Sequence, residues 1–153
     1  MSLIIALGTN LGQRKENLAR ARQELSKIFE IVEESQIYES AAVDYTDQPA
    51  FLNQVIEYKI PKLTPSETLS QLLAIELKMG RVRKIKKGPR LIDLDILFWG
   101  MDEVQLPELI IPHPEWKNRS FIVLPLMELP FFQTLQKCIT IPTRFNNEAH
   151  PYK

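Results

Sequence analysis

The spacing of apolar residues predicts a strand and then a helix at the start of the chain. Residues 3–7 (LIIAL) form a short apolar run that ends at Gly8, as a central strand would. Helical spacing follows and predicts a helix from about Leu11 to Phe29, with Asn10 as its N-cap. The apolar positions at this spacing are Leu18, Ala21, Leu25, Ile28 and Phe29. Another strand is predicted near residues 31–39, before the loop SAAVDYTDQP.

The next segment, FLNQVIEYKI at residues 51–60, alternates like a strand with two different faces. One face is predicted to carry Leu52, Ile56, Tyr58 and Ile60, and the other to carry Phe51, Asn53 and Val55. Residues 64–67 (TPSE) match a helix-capping box with proline at the first helical position. The helix that they open is predicted to run to about Met79 and to stop at Gly80.

A further apolar strand, within GPRLIDLDILFWG at residues 88–100, contains two aspartates. Alternation predicts one apolar face made of Ile92, Leu94, Ile96 and Phe98. Asp93 and Asp95 share the other face, whose remaining members are Leu91, Leu97 and Trp99. A solvent-facing edge strand would explain the two carboxylates, but the large apolar residues on the same face count against it.

The order strand, helix, strand, strand, helix, strand predicts an α+β fold of the ferredoxin-like kind. Its sheet is expected to be mainly antiparallel, with the helices packed on one face. Beyond about Asn118 the pattern weakens to one or two helical turns near residues 120–129, and an irregular tail is predicted from about residue 131. The whole chain, residues 1–153, has the size of a single domain.

Composition narrows the class of protein. The chain is 44% hydrophobic and 25% charged, and its 19 Lys and Arg residues equal its 19 Asp and Glu residues. A net charge near zero argues against general binding to nucleic acid or to anionic membranes. The single cysteine, Cys138, cannot form an internal disulfide, and no window approaches the ~20 apolar residues of a membrane span. We therefore expect a cytoplasmic protein with no membrane partner.

Positive charge is concentrated between residues 78 and 90, where KMGRVRKIKKGPR contains seven basic residues and no acidic one. Taken alone, this segment fits a solvated or nucleic-acid-facing loop as well as it fits an active-site loop. Its position favours the active-site interpretation, because it lies between the helix that carries Glu76 and the strand that carries the two aspartates. A carboxylate near a helix C-terminus is slightly unfavourable, so Glu76 hints at a ligand or an arginine partner.

Two carboxylates on one face of a strand can both bind a hard divalent cation through oxygen. Mg²⁺ needs only one or two of them when phosphate oxygens complete its shell. The chain has no Walker A loop and no kinase glycine loop, so side chains would have to neutralise phosphate charge. The candidates are Arg81, Arg83, Arg90 and Arg119, since a guanidinium donates two parallel hydrogen bonds to phosphate. His113, between two prolines, is a further candidate, although a turn histidine without a role is about as common.

Five motifs occur in the order and spacing of one enzyme family: ALGTNLGQR, DQPAFLNQV, IELKMGRVR, GPRLIDLDILFWG and IPHPEWKNRSFIVLPL. With them, residues 3–130 resemble the 6-hydroxymethyl-7,8-dihydropterin pyrophosphokinases of folate biosynthesis. The resemblance implies transfer of the pyrophosphoryl group of ATP to the pterin hydroxymethyl oxygen, with release of AMP, on a ferredoxin-like fold. It also implies ATP and the pterin as substrates and two Mg²⁺ ions as cofactors. We expect no nucleic-acid partner and a monomeric protein.

The resemblance assigns roles to individual positions of this chain. Asp93 and Asp95 match the residues that hold the Mg²⁺ ions, and Arg81 and Arg83 match a basic loop that closes over the substrates; these four are the candidate catalytic residues. The positions that match ATP contacts are Leu73, Glu76, Arg83, Arg90, Ile96, His113, Pro114 and Arg119. The positions that match the pterin pocket are Ser40, Ala41, Val43, Phe51, Asn53 and Phe121.

The pterin assignments agree with simple chemistry. A flat bicycle stacks well between two aromatic rings, which the resemblance makes Phe51 and Phe121, although both could also be ordinary core residues. The side-chain amide of Asn53 supplies the donor and the acceptor that an aminopyrimidinone edge requires.

Two alternatives stay open at this stage. The first is a non-catalytic ferredoxin-like module that binds RNA on its sheet, but such modules display stacking aromatics in a known pattern and a basic surface, which this chain lacks. The second is a family member that binds nucleotide without turnover. Only the basic loop KIKKG favours it, since the loop is one residue shorter than in the family and lacks the large aromatic residue of some members.

Overall fold

The computed structural model describes residues 1–41, 48–80, 91–142, 144–145 and 148–152. Its helices and strands, in chain order, are β1 (Ser2–Thr9), α1 (Arg14–Ser26), β2 (Ile31–Glu34), β3 (Tyr38–Ser40), β4 (Phe51–Lys59), α2 (Pro65–Lys78), β5 (Asp93–Trp99), β6 (Val104–Leu106), β7 (Leu109–Ile111), α3 (Ser120–Leu126), α4 (Phe131–Cys138) and β8 (His150–Pro151). A short 3-10 turn at Trp116–Asn118 precedes α3.

Six strands form one sheet in the order β5-β1-β4-β3-β8, and β2 also pairs with β4. All of these pairings are antiparallel. The central strands are β1 and β4. Strand β1 lies between β5 and β4, and β4 lies between β1 and β3. This order matches the βαββαβ arrangement of a ferredoxin-like fold. The predicted α+β fold class is confirmed. Strands β6 and β7 form a separate hairpin.

One face of the sheet is covered by α1 and α2, as predicted. Leu18 and Leu25 of α1 and Leu72 of α2 are fully buried against it. The sheet residues that meet them include Leu3, Ile5, Leu7, Leu52, Ile56, Tyr58, Ile92, Leu94 and Ile96. The faces predicted for residues 51–60 are therefore confirmed, because Leu52, Ile56 and Tyr58 enter this core and Val55 does not.

The opposite face is also covered in part, which the sequence prediction did not include. Helices α3 and α4 pack there over a second core, whose buried members include Ile4, Val55, Leu97, Phe98, Ile122, Leu126, Phe131 and Leu135. Expecting an irregular tail from residue 131 was therefore wrong for residues 131–138, which form α4. Helices thus lie on both faces of the sheet, not on one.

Helix α2 has the predicted boundaries. Thr64 and Glu67 form a capping box, in which the Thr64 side chain accepts from the Glu67 N–H and the Glu67 carboxylate accepts from the Thr64 N–H. Gly80 follows with a φ of 91°, a left-handed conformation that favours glycine.

Helix α1 is shorter than predicted and begins differently. It starts at Arg14 after Gln13, and Asn10 is not its N-cap. The Asn10 side chain instead donates to the backbone oxygen of Pro49 and to the side chain of Gln48. The single strand predicted near residues 31–39 is two strands, β2 and β3, separated by residues 35–37.

A β-bulge changes the alternation at the end of β5. Ile96 pairs with Ile5 but Phe98 pairs with Ile4, so Leu97 is an extra residue on β5. Phe98 consequently lies in the second core with Leu97, and Trp99 lies in the first. The faces predicted for Phe98 and Trp99 were wrong, because strict alternation assumes that no bulge is present.

Among the residues that the structure describes, no helix is both long enough and apolar enough to cross a bilayer.

Candidate active site

The acidic pair lies at one end of the sheet, on the face that α3 and α4 cover only in part. Gly8 of β1 pairs with Asp93 on one side and with Asn53 on the other. Ala6, two residues earlier, pairs with Asp95 and Val55 in the same way. Directly paired residues project to the same face of a sheet. Asp93, Asp95 and Asn53 therefore share one surface with Gly8 and Ala6 between them.

This surface is open, whereas the opposite face of the same strands is sealed. Asp93, Asp95, Ala6 and Gly8 are all half-buried. Leu7, the β1 residue between Ala6 and Gly8 on the other face, is only 1% exposed. The sheet thus offers a floor of two small residues, bounded by carboxylates on one side and an amide on the other.

Gly8 gives the amide and a nearby aromatic ring the room that they occupy. A Cβ atom at this position would lie 3.3 Å from Asn53 Oδ1 and 3.8 Å from the Phe51 ring. The first of these distances is tighter than ordinary van der Waals contact, so a side chain here would push on the Asn53 amide. Glycine at position 8 therefore keeps the floor flat where Asn53 and Phe51 meet it.

The residues predicted for a flat-ring pocket come together on this face. Asn53 is 6% exposed, and its Nδ2 donates to Ser40 Oγ at 2.9 Å, which fixes the orientation of the amide. Phe51, at the start of β4, pairs with Ser40 at the end of β3 and is half-buried. Phe121, in the first turn of α3, is half-buried beside the second core. Ala41 is exposed just after β3, and Val43 lies outside the described residues.

Arg119 and His113 approach the acidic pair from the segment before α3. The Arg119 guanidinium carbon lies 5.7 Å from the centre of the Phe121 ring, which places its charge beside the predicted stacking residue. Burial is the largest cause of a lowered pKa at His113, the charge of Arg119 acts in the same direction, and Asp93 and Glu115 oppose them. His113 is thus close enough to both Arg119 and Asp93 for their charges to influence it.

Backbone contacts fix the position and the tautomer of His113. The backbone N–H of His113 donates to the Leu97 carbonyl of β5 at 3.1 Å. The Glu115 N–H donates to His113 Nδ1 at 3.2 Å, so the neutral ring carries its proton on Nε2. His113 therefore has a donor to present to a ligand, while the neighbouring Pro114 is exposed.

Glu76 supports the acidic pair from the other side of β5. It is 3% exposed, and its Oε2 accepts from the Leu94 N–H at 2.8 Å. Leu94 lies between Asp93 and Asp95, so this bond from α2 holds the strand at the point where both carboxylates project. The structure gives Glu76 this backbone partner, and the ligand or arginine partner that the sequence suggested stays a prediction.

Two other predicted nucleotide contacts, Leu73 and Ile96, differ in exposure. Leu73 is 41% exposed on α2. Ile96 is 3% exposed with its side chain in the first core, so it could contact a ligand only through its backbone. Arg81, Arg83 and Arg90 lie outside the described residues.

Asp93 and Asp95 are the described carboxylates that could hold a metal here. Within the described ranges, no group of three or more His, Cys, Asp or Glu side chains is arranged to bind one. Two carboxylates suffice for Mg²⁺ only when water and substrate oxygens supply its other ligands. The donor set therefore fits a magnesium ion bound together with a phosphate-bearing substrate.

Polar residues from the last position of β1 onward connect separate parts of the site. The sequence analysis did not assign them to it. Thr9 Oγ1 donates to the Leu91 carbonyl at 2.6 Å, which fastens the start of the segment containing Asp93 to β1. Asn17 Nδ2 donates to Thr9 Oγ1 at 3.1 Å. Asn10 Nδ2 donates to Gln48 Oε1 at 2.8 Å and to the Pro49 carbonyl at 3.0 Å. A run of polar residues directly after a buried strand was the signal that could have identified them.

These features define a ferredoxin-like domain with a polar site on the open end of its sheet. Residues 4–130 match the family model described as 7,8-dihydro-6-hydroxymethylpterin-pyrophosphokinase (HPPK). The chain belongs to this family, as predicted from its motifs.

Named relatives agree with the family match. Over 127 residues the chain is 39% identical to the 2-amino-4-hydroxy-6-hydroxymethyldihydropteridine pyrophosphokinase of Bacillus subtilis, covering 82% of this chain and 75% of that protein. It is 41% identical over 129 residues to the folic acid synthesis protein fol1 of Pneumocystis carinii, covering 84% of this chain. The chain spans only 17% of the length of that larger protein, and 23% and 25% of the folate synthesis bifunctional proteins of Arabidopsis thaliana and Pisum sativum.

A solved structure agrees on the fold. The wild-type HPPK-DHPS of Plasmodium falciparum with pteroate superposes with a TM-score of 0.63 at 16% identity, covering 82% of this chain and 38% of that one. The fold and the family together support the predicted pyrophosphokinase class over the RNA-binding alternative.

Proposed function

We propose that this chain transfers the pyrophosphoryl group of ATP to the hydroxyl of 6-hydroxymethyl-7,8-dihydropterin, releasing AMP, as a Mg²⁺-dependent step of folate biosynthesis. One observation carries the proposal: Asp93 and Asn53 flank Gly8 on the same open surface. A metal-and-phosphate site and a ring-edge site are thereby separated by the width of a single strand. That spacing suits a small hydroxymethyl group that extends from a ring toward a phosphate.

The pterin would lie on the floor formed by Gly8. Asn53, held by Ser40, would bind the polar edge of the ring through the amide oxygen and its second N–H. Phe51 and Phe121 are the rings available to stack on its faces. Because Asn53 is already held by Ser40, little side-chain freedom would be lost on binding.

The triphosphate would lie toward β5 and the residues before α3. Arg119 would donate to phosphate oxygens, and His113 would donate from Nε2. Arg81, Arg83 and Arg90 are proposed for the same task from the family resemblance, with Arg81 and Arg83 acting in the loop that closes over both substrates. Binding the substrates in fixed orientation provides most of the catalysis available for phosphoryl transfer.

Two Mg²⁺ ions are part of the proposal, and Asp93 and Asp95 would hold them. Ions held by these two carboxylates would supply positive charge that offsets the charge developing during transfer. Glu76 would contribute indirectly, since its bond to the Leu94 N–H fixes the backbone between the two ligands.

The covered sheet face disfavours RNA binding. Modules that bind RNA on a ferredoxin-like sheet use an open face with exposed aromatics. Here α3 and α4 cover that face, and the remaining open part carries two carboxylates that repel phosphate in the absence of a cation. We further propose a cytoplasmic monomer, which cell fractionation and size-exclusion chromatography would test.

A coupled assay for AMP tests the proposed function directly. With ATP and Mg²⁺, AMP should form only when the reduced pterin is present, and EDTA should abolish its formation. Saturable nucleotide binding without AMP release would instead favour a family member that binds nucleotide without turnover. Retention of labelled RNA with no AMP release would favour the RNA-binding module.

A further inference from the structure

The segment 148–152 folds back onto the elements that carry the predicted pterin residues. It lies beyond residues 4–130, the part of the chain that matches the family model. Three separate contacts attach it to the domain.

The first contact fixes the start of α3. The Ala149 N–H donates to Ser120 Oγ at 2.8 Å. Ala149 is 6% exposed and Ser120 is 1% exposed, so this hydrogen bond is shielded from water. Ser120 lies directly between Arg119 and Phe121, and the bond therefore fixes the turn from which both side chains project.

The second contact adds a strand to β3. His150 pairs with Glu39 and Pro151 pairs with Tyr38 in β8. The Tyr152 N–H donates to the Ile37 carbonyl at 2.8 Å. Without β8, β3 would be a three-residue edge strand ending at Ser40, the residue that accepts from Asn53.

The third contact reaches the start of β4 through an arginine. The Arg14 guanidinium carbon lies 5.8 Å from the centre of the Tyr152 ring. Arg14 Nη1 also donates to the Ala50 carbonyl at 2.9 Å and to Glu39 at 2.9 Å. Ala50 directly precedes Phe51, so Tyr152 covers the arginine that fixes the beginning of the strand carrying that ring.

We propose that the segment 148–152 is a positioning element for the pterin pocket. Its contacts reach α3, β3 and, through Arg14, β4, and these elements carry Phe121, Ser40 and Phe51, respectively. None of the three contacts involves β5, where the acidic pair lies. This inference rests on the proposed function, and it adds that pterin affinity depends on a segment outside the family match.

The location of the contacts predicts a selective effect. A segment that only covered a sheet edge would change stability while leaving both substrates bound equally well in the folded protein. A positioning element should instead change pterin binding more than nucleotide binding, because small displacements of stacking rings and of a hydrogen-bonding amide weaken ring binding.

Three variants of the full chain test this selectivity. The first is truncated after residue 147, which removes all three contacts. The second, Tyr152→Pro, is milder and removes the N–H that reaches Ile37 together with the ring beside Arg14. The matched control, Tyr152→Phe, keeps both the N–H and a ring.

Steady-state kinetics well below each variant's melting temperature, together with calorimetric pterin binding, give the readout. We expect Tyr152→Pro, which keeps the bond between Ala149 and Ser120, to raise the KM and Kd for the pterin roughly five- to tenfold, with less than about a twofold change in the KM for ATP. The truncation should raise the KM for the pterin at least as much, and it should also raise the KM for ATP, because it releases the turn that carries Arg119. Tyr152→Phe should match the wild type. If the truncation fails to fold, Tyr152→Pro decides.

The possible outcomes separate the two proposals. Wild-type pterin affinity in folded Tyr152→Pro and truncated proteins, with normal turnover, would overturn the positioning role and leave the proposed function intact. Equal weakening of ATP and pterin binding in Tyr152→Pro would also overturn it, in favour of a purely structural role. Absence of pterin binding and turnover in the wild-type protein would overturn the proposed function and this inference with it.

Discussion

On one side of β1, Leu3, Ile5 and Leu7 are at most 1% exposed beneath α1 and α2, whereas on the other side Ala6 and Gly8 stay half-buried. Neighbouring residues of one strand therefore belong to a sealed core and to an open site. Small residues on the open side leave space for a ligand, and large residues on the sealed side supply the burial that stabilises the fold. Residues that stabilise the fold and residues that line the site therefore alternate along a single strand.

The two helical layers are also attached differently. The layer of α1 and α2 adheres through aliphatic packing and, beside the acidic pair, through the bond between Glu76 and the Leu94 N–H. The layer of α3 and α4 has carboxylates among its attachments: Glu57, 4% exposed on β4, accepts from the Phe131 N–H at 2.9 Å and from Ser2 Oγ at 2.7 Å. Glu128 accepts from the Tyr38 hydroxyl and from the Gln36 N–H. These bonds attach the second layer to β4, to β3 and to the residue Gln36 before β3.

The largest predicted effect is on the sealed face. Ile56→Ala removes a fully buried side chain and should lower the free energy of unfolding by about 2–5 kcal/mol, through lost burial and a cavity. The folded fraction should keep its turnover. Urea unfolding measures the first effect, and Ile31→Ala, at a 51% exposed position, is the control that should change little. Loss of turnover per folded molecule would contradict the separation of the faces.

The acidic pair should show the reverse pattern. Asp93→Asn and Asp95→Asn each keep the side-chain shape but remove one charge, so each variant should fold normally and lose turnover by a factor on the order of 100. Each should also need more Mg²⁺ to recover what activity remains. Asp102→Asn, at an exposed position in the turn after β5, is the control. Wild-type turnover of both site variants at low Mg²⁺ would refute the metal site.

A smaller effect is expected for one stacking ring. Phe121→Ala should weaken pterin binding by about 1 kcal/mol or more while leaving nucleotide binding unchanged. Phe132→Ala is a matched control, because this ring is also partly buried against the second core but lies on α4. Calorimetry with each substrate checks both variants. Equal pterin affinities would place Phe121 among the ordinary core residues.

The smallest effect concerns pH. Because burial and Arg119 lower the pKa of His113, the unfolded chain binds a proton here at higher pH than the folded protein does. This histidine's contribution to stability should therefore be complete above its ordinary pKa of about 6.5 and be lost as the pH falls below it. Melting temperatures of His113→Asn should fall less between pH 7 and pH 5 than those of the wild type. Parallel pH profiles would contradict this.

Local patterns predicted much of the fold. The capping box fixed the start of α2 and Gly80 its end, since both signals act within a few residues of the helix. Alternation also assigned Leu52, Ile56 and Val55 to the correct faces. The bulge at Leu97 was not predictable in this way, because it depends on how β5 pairs with β1. Strand β8 is two residues long and exists only through its pairing with β3.

The site was predictable to a similar degree. Asp93 and Asp95 are two positions apart on a strand, so their common face followed from the sequence, and the family motifs added Asn53 and Phe121. The hydrogen-bond partners of Asn10 and Ser120 could not be predicted, because they lie 38 and 29 residues away in the chain. Such long-range hydrogen bonds are set by the tertiary fold.

The bond between Glu76 and the Leu94 N–H also affects how copies of the molecule meet. Strand β5 is an edge of the sheet, and exposed edges can template the addition of a strand from another chain. Here the Leu94 N–H is taken by a buried carboxylate, and the Leu97 carbonyl is taken by the His113 N–H. These two backbone groups of β5 already have hydrogen-bond partners within the molecule, so they are not available to a strand from a second copy. Edge-to-edge aggregation through β5 is therefore disfavoured by the same carboxylate that steadies the acidic pair.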